Sequence, residues 1–317
     1  MPAKLYAQDD MYDTAEPATA AALRVAVGIA TRGRPGILKE TLADLDRQTL
    51  LAAGIFVSYA NAADVEDAPA QFPGVQFLTS RTGSCAQRNC LLDHIQPDAY
   101  DVVVFMDDDF YLHPDYLRRV SEVFQSDLAV LGASGIVLAD GANGPGMRIA
   151  EARSVLDAAP AAPLAARQQP PPIFNTYGCN MVFRVSALQT LHLRFDERLP
   201  AYGWYEDIDF SRRLLPVGKL VRIPGAYGVH LGAKVGRTSG RRLGYSQIVN
   251  CVYLAKKGTY PWRRALLSAL RNLLANLARS IAPEAYIDRR GRLVGNLLGI
   301  ADCLRGRERP ERILEMN

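Results

Sequence analysis

Long hydrophobic runs are missing from this sequence. No apolar stretch in its 317 residues approaches the ~18–20 residues that cross a bilayer, so no transmembrane span is expected. Cysteine is scarce: Cys85, Cys90, Cys179, Cys251 and Cys303 are scattered, odd in number, and none sits in a CxxC pair with histidines nearby. That excludes a disulfide framework and a zinc site of the usual spacing. Residues 1–22 lack the basic flank and apolar core of a leader and read as a polar, acidic tail. The expected setting is reducing and cytoplasmic. Acids are absent from residues 210–283, which carry 14 Lys/Arg and no Asp or Glu, whereas residues 1–209 carry 16 Lys/Arg and 27 Asp/Glu, a net charge of −11. The basic stretch implies a surface that meets an anion such as a diphosphate, a lipid headgroup or nucleic acid. The alternative is a solvated face paired with acids of the N-terminal half.

What the chain does have is a buried strand that ends in acids. Residues 101–115 read DVVVFMDDDFYLHPD. Val102 to Met106 form the short, β-branched apolar run of a strand covered on both faces of a parallel sheet. Asp107 and Asp109 follow on one side of the extended chain, with Asp108 on the other. Two carboxylates ~4 Å apart at an effective dielectric near 20 repel by roughly 4 kcal/mol. A cation between them removes that cost, and hard oxygen ligands suit Mg2+ or Mn2+. The C-terminal end of a parallel strand is also where α/β folds hold ligands.

Around this strand the pattern is α/β. Residues 23–30 form a strand that runs into Thr31-Arg32-Gly33-Arg34-Pro35, followed by a helix over 37–48. Strands follow at 54–60 and 75–79, then Gly83 and a cationic helix start through Arg88 and Asn89, a plausible phosphate approach. Another strand covers 130–138. Residues 139–172, rich in Gly, Ala and Pro, read as a long surface excursion, after which α/β signals resume. A strand follows the turn at 175–179, a helix begins near Gly203-Trp204-Tyr205-Glu206-Asp207, and a strand over 219–223 ends at Pro224-Gly225, before His230. The last ~70 residues are helical. In 262–281, Leu266, Leu267, Leu270, Leu273, Leu274, Leu277 and Ile281 share one side. That helix either packs its stripe on the α/β domain or lies on an anionic inner leaflet with its basic flank.

The ordered set Thr31–Pro35, Gly83 to Asn89, Asp107-Asp108-Asp109, Gly178-Cys179-Asn180-Met181, Glu206-Asp207 and His230 resembles the family 2 glycosyltransferases, which have the GT-A fold. The resemblance implies a Rossmann-like, mostly parallel central sheet flanked by helices, with a catalytic domain over 23–245 and a helical C-terminal extension over 246–317. It implies transfer of a sugar from a nucleotide-diphosphate sugar to an acceptor hydroxyl, with inversion, in surface polysaccharide or glycolipid assembly. The implied general base is Asp207, paired with Glu206. The implied metal ligands for Mn2+ or Mg2+ are Asp109, His230 and Asp107. Thr31, Arg32, Arg34, Arg88, Asn89, Asp107, Asp108 and Arg237 are the donor-binding candidates. The family usually has an Asp directly after its second strand to hold the nucleobase; here the strand gives Ser58-Tyr59-Ala60-Asn61, with Asn61 the candidate. Trp204 and Tyr205 are the candidates for a saccharide or lipid-linked saccharide acceptor. A sugar nucleotidyltransferase is the rival enzyme, but 31–36 has no lysine. A nucleic-acid-binding protein would use 210–283 and leave both acidic clusters unexplained.

Overall fold

The computed structural model describes residues 22–160, 169–234 and 239–316. The chain opens with β1 (Val25–Ala30) and α1 (Pro35–Leu45), where Pro35 starts the helix at no hydrogen-bonding cost because its missing N–H would be unpaired anyway. Next come β2 (Gly54–Tyr59), the one-turn α2 (Ala68–Gln71), β3 (Val75–Thr79) and α3 (Ser84–His94). The acid-ended strand is β4 (Val102–Asp107), followed by β5 (Phe110–Leu112), α4 (Tyr116–Ser126) and β6 (Val130–Asp140). Then follow α5 (Ile149–Asp157), β7 (Asn180–Arg184), α6 (Val185–Thr190), α7 (Glu206–Arg212) and β8 (Lys219–His230). Three long helices end the chain: α8 (Gly240–Lys257), α9 (Trp262–Arg279) and α10 (Arg289–Leu304).

Among the described residues these strands form one sheet in the order β3-β2-β1-β4-β7-β6-β8-β5. From β3 to β4 the pairing is parallel; β7 runs antiparallel to both β4 and β6, and β5 antiparallel to β8. Alternation along β1 and β4 divides the core. Val25, Val27, Ile29, Val102, Val104 and Met106 pack with Leu38 and Leu42 of α1 and Val120 and Phe124 of α4. Ala26, Val103 and Phe105 face the other way, toward Leu91 of α3, Phe210 of α7 and Leu254 of α8. Phe105 is fully buried and meets Phe195 edge-on at 5.6 Å, and Phe195 stacks on Phe210 at 3.9 Å. Removing that ring leaves a cavity between sheet and helices. Phe105→Ala is therefore expected to lower stability by about 3–5 kcal/mol, read as a fall in the urea midpoint; a loss under ~1 kcal/mol would mean the site collapses around the gap.

The structure departs from the sequence reading at five places. The strand expected to stop at Pro224-Gly225 continues to His230. A wide bulge between Arg222 and Tyr227, against Ser134 and Ile136 of β6, takes up Pro224, which has no N–H to pair, and Gly225 at φ +79°. The three-residue β5 was not anticipated. The excursion at 139–172 contains α5, whose Ala152 and Leu156 pack on Tyr111, Val229 and Leu231. The helical C-terminal part begins at Gly240, ahead of the start expected at 246. Most consequentially, of the two readings of the α9 leucine stripe the packed one fails: the leucines do not pack on the sheet. Of its residues only Ala265 and Asn276 are buried, and Leu266, Leu267, Leu270, Leu274 and Leu277 are exposed. The helix docks by its other side. Asn276 donates to Gln247 of α8 and to Asn296 of α10, each at 2.9 Å, in a buried polar seam that leaves the leucines outward.

Part of the acid-free charge is taken up by acids elsewhere. Lys219 pairs with Asp127, Arg213 with Asp209, and Lys257 with both Asp196 and Asp209. No helix among the described residues is long and apolar enough to cross a membrane.

Candidate active site

The C-terminal ends of β1 and β4 open into a cleft of about 230 Å³. In the sheet β1 lies between β2 and β4, so the chain leaves these strands in opposite directions and opens a crevice between them. Of the residues singled out in the sequence, Thr31, Arg32, Arg34, Arg88, Asp107, Asp109, Trp204, Tyr205, Glu206, Asp207 and His230 line this one cleft. Asn61, Asn89 and Asp108 do not. Asn61 is exposed after β2, and Asn89 is buried away from the cleft, exchanging hydrogen bonds with the Phe195 backbone. Arg237 lies outside the described residues.

The acid end is held by short contacts. Asp108 turns inward, accepting from Thr31 Oγ1 at 2.6 Å and pairing with Arg34 at 2.5 Å. Burial pushes its carboxyl upward against the pull of Arg34. Asp109 accepts from the Ala233 N–H at 2.7 Å and from Arg34 at 3.0 Å. Burial opposes its charge, but His230 and Arg34 outweigh burial and hold it down, to about 2. Pairing of β5 with β8 sets Phe110 opposite His230, and so brings the imidazole beside Asp109. His230 Nε2 lies 3.4 Å from Asp109 Oδ1 and 3.9 Å from Asp107 Oδ2.

A residue the sequence did not flag fixes that imidazole. Asp140, at the end of β6, lies 2.9 Å from His230 Nδ1, and Tyr177 donates its hydroxyl to the other carboxylate oxygen at 2.7 Å. Burial would raise the Asp140 pKa, but the bonds from His230, Tyr177 and Ala142 outweigh it and bring it to about 2. An ionised carboxylate only accepts, so Nδ1 carries the proton and Nε2 is left facing the acids. One ligand atom each from Asp107, Asp109 and His230 lie within 4.8 Å of one another. Asp109 Oδ1 is buried, and its one close polar neighbour among the described residues is His230 Nε2 at the long distance of 3.4 Å. Two carboxylates and an imidazole facing one another with a buried oxygen so weakly satisfied fit a divalent cation. Asp140 could not be found from sequence because it lies at the far end of an ordinary-looking strand.

The second acidic pair sits on a bent segment. Ala201, Gly203 and Tyr205 all have positive φ, +57°, +68° and +72°. Two of these are non-glycine residues in a costly region, a strain that clusters at functional sites. Directly after it, Asp207 accepts from the Gly178 N–H at 3.1 Å and the Ile208 N–H at 2.8 Å. Burial raises its pKa to about 6, against these bonds and the Arg88 charge. Glu206 is also raised by burial, with Arg88 opposing. Arg88 is buried and turned to protein groups. It contacts Glu206 directly, Asp107 Oδ1 at 3.2 Å and the Gly178 carbonyl at 3.0 Å, and so ties the two acid clusters together. Gln87, another unflagged residue, donates to the carbonyls of Thr31 and Ser58 and ties the ends of β1 and β2. Asp64, also missed, accepts from the N–H groups of Gly33 and Asn61, which orders the loops after the same two strands. Trp204 stands beside Tyr205, with ring centroids 5.1 Å apart, and its indole N–H has no partner among the described residues.

A mostly parallel sheet that holds an Asp-x-Asp end, a facing histidine and a separate buried acid pair around one cleft defines a GT-A glycosyltransferase. The model of glycosyl transferase family 2 matches residues 27–191, just over half of the chain, and the chain belongs to that family. The match stops short of Glu206, Asp207 and His230. Solved structures share the fold at low identity. S. aureus TarS 1-349 is 12% identical with a TM-score of 0.55, covering 92% of this chain and 82% of that one. The mannosyltransferase PcManGT from Pyrobaculum calidifontis, solved with GDP-Man and Mn2+, is 15% identical with a TM-score of 0.51, covering 94% and 89%. GalNAc-T7, solved with UDP, GalNAc and Mn2+, is 12% identical with a TM-score of 0.57, covering 94% of this chain and 57% of that one. No curated protein matches the chain at a significant level.

Proposed function

We propose that the protein is an inverting, metal-dependent glycosyltransferase that moves a sugar from a nucleotide-diphosphate sugar to an acceptor hydroxyl. The observation that carries this reading is the cleft that brings Asp107, Asp109 and His230 together with Asp207. Asp207 takes the proton of the acceptor hydroxyl. The freed oxygen pair bonds to the anomeric carbon from the face opposite the leaving group, and the bond from that carbon to the diphosphate oxygen breaks, giving inversion. An Mn2+ or Mg2+ ion held by Asp107, Asp109 and His230 supplies positive charge for the diphosphate. Arg32, exposed at the rim, and Thr31 lie on the donor side, where Arg237 and Asn61 remain proposed contacts. Arg34 and Arg88 act there through the carboxylates they hold. Trp204, on the cleft wall, offers an aromatic face to a saccharide or lipid-linked saccharide acceptor. We place the catalytic domain at 23–239 and the helical extension from Gly240 onward, since a boundary at 245 would cut the continuous helix α8; the tail expected at 1–22 lies almost wholly outside the described residues. The enzyme would work in the cytoplasm on a surface polysaccharide or glycolipid.

Calorimetry with UDP, GDP, dTDP and CDP, in Mn2+, Mg2+ or EDTA, tests the reading. One nucleotide is expected to bind in the presence of a divalent ion and to be lost in EDTA. Failure of all four to bind under every condition would overturn it.

A further inference from the structure

Helix α9 is about 27 Å long, and it presents a row of large apolar side chains to solvent. Trp262, Leu266, Leu267, Leu270, Leu274, Leu277 and Ile281 are 47% to 85% exposed. At 3.6 residues per turn, Leu266, Leu267, Leu270, Leu274 and Leu277 fall within an arc of about 100°, and Ile281 follows just past the helix end. On neighbouring α10, Val294, Leu297 and Leu304 are exposed as well. A patch this continuous marks an interaction surface.

Charge identifies the partner. Residues 210–283 carry no acid. On α9, Arg279 is neutralised by Glu284 and Arg264 stacks on Phe174. Arg263 and Arg271 are exposed and have no carboxylate partner among the described residues. A second copy meeting this face by twofold symmetry would bring like charges together. An anionic surface would not. The opposite side of the helix reaches the acceptor wall: Ser268 Oγ is 2.6 Å from the Tyr260 hydroxyl, and Asn272 Nδ2 is 3.5 Å from the hydroxyl of Tyr205, which lines the cleft. The geometry points to α9, with the exposed side of α10, lying flat on an anionic bilayer and presenting the acceptor side of the cleft to that surface. The link to the acceptor rests on the glycosyltransferase reading; binding to the bilayer does not.

The test uses the full chain and vesicles of phosphatidylcholine alone or mixed with phosphatidylglycerol, read by co-sedimentation. The protein is expected to bind the mixed vesicles, to bind phosphatidylcholine far less, and to be released by salt. Arg263→Glu with Arg271→Glu is expected to weaken binding by at least about 30-fold. Leu270→Ser with Leu274→Ser is expected to abolish it. Both variants alter exposed positions, and an unchanged melting temperature and nucleotide binding would show that fold and cleft are intact. Absence of vesicle binding by the unaltered protein, or binding that survives both variants, overturns the proposal. So does a dimer in analytical ultracentrifugation that the leucine substitutions dissolve, because the face would then belong to a second copy. Intact nucleotide binding in any of these cases leaves the glycosyltransferase reading standing.

Discussion

Asp207→Asn is expected to lower kcat by about 10²–10⁴-fold, the usual contribution of a positioned base, while nucleotide affinity stays within about twofold of the unaltered protein. The substitution removes the proton acceptor and keeps the side-chain shape. The Gly178 N–H donates to Oδ2 and the Ile208 N–H to Oδ1, so the single carbonyl oxygen of asparagine retains one of these bonds and its amide nitrogen faces the other donor. Product formation is measured with the nucleotide and metal that calorimetry identifies. A variant with near-normal turnover would remove Asp207 from the chemistry. Loss of nucleotide affinity together with turnover would mean that the residue holds the fold of the cleft instead.

The same residue sets an acid limb in the rate profile. Burial lifts Asp207 from the ordinary carboxylate range to about 6. The base works only as the carboxylate, so the rate should rise with pH up to about 6 and level off above it. Below that point each pH unit removes close to a factor of ten. The nearby Arg88 guanidinium pulls in the opposite direction, which is one reason Asp207 is not higher still. Arg88 also explains how the cleft tolerates Glu206 and Asp107 in one buried neighbourhood, since it touches both.

Most of this architecture was legible in the sequence, and the exceptions have physical causes. Buried strands such as Val25–Ala30 and Val102–Asp107 are short apolar runs bounded by polar turns, so their local pattern and their tertiary role agree. The positions of Asp107 and Asp109 follow from those boundaries, and those of Glu206 and Asp207 from the acidic start of a helix. Side-chain direction does not. Arg88 looks like a free cation at a helix start, yet three protein groups claim its guanidinium, and that depends on residues 90 and 118 positions away. Likewise β5 is too short to show a period, although it is the strand that carries His230 to the acids. The α9 stripe taught the opposite lesson. Its periodicity was plain, but a leucine face reads the same whether it meets a core or a surface. Only the polar seam through Asn276, Gln247 and Asn296 decides which side of the helix points in.

Removal of the metal site should be nearly as severe as loss of the base. Asp109→Ala is expected to reduce Mn2+ affinity by more than about 100-fold, since it deletes a ligand, and Asp140→Ala by about 10–100-fold, the range found when a group that orients a ligand is lost. Electron paramagnetic resonance of Mn2+ reads both without a turnover assay. The pH dependence separates this site from an ordinary acidic patch. Burial works against a charged His230, but the bonds to Asp109 and Asp140 and the charge of Asp107 prevail and push its pKa up to about 10. At neutral pH the metal-free imidazole therefore carries a proton on Nε2 as well, and together with Arg34 it balances the carboxylates. Nε2 can ligate only after losing that proton. Binding should release a proton, and affinity should climb as pH rises toward about 10. In His230→Ala the carboxylates lose a cationic partner, and this proton release should vanish along with most of the affinity. A site built from the carboxylates alone would instead keep its affinity in His230→Ala and show a flat profile above pH ~6, and that outcome would take His230 and Asp140 out of the metal centre.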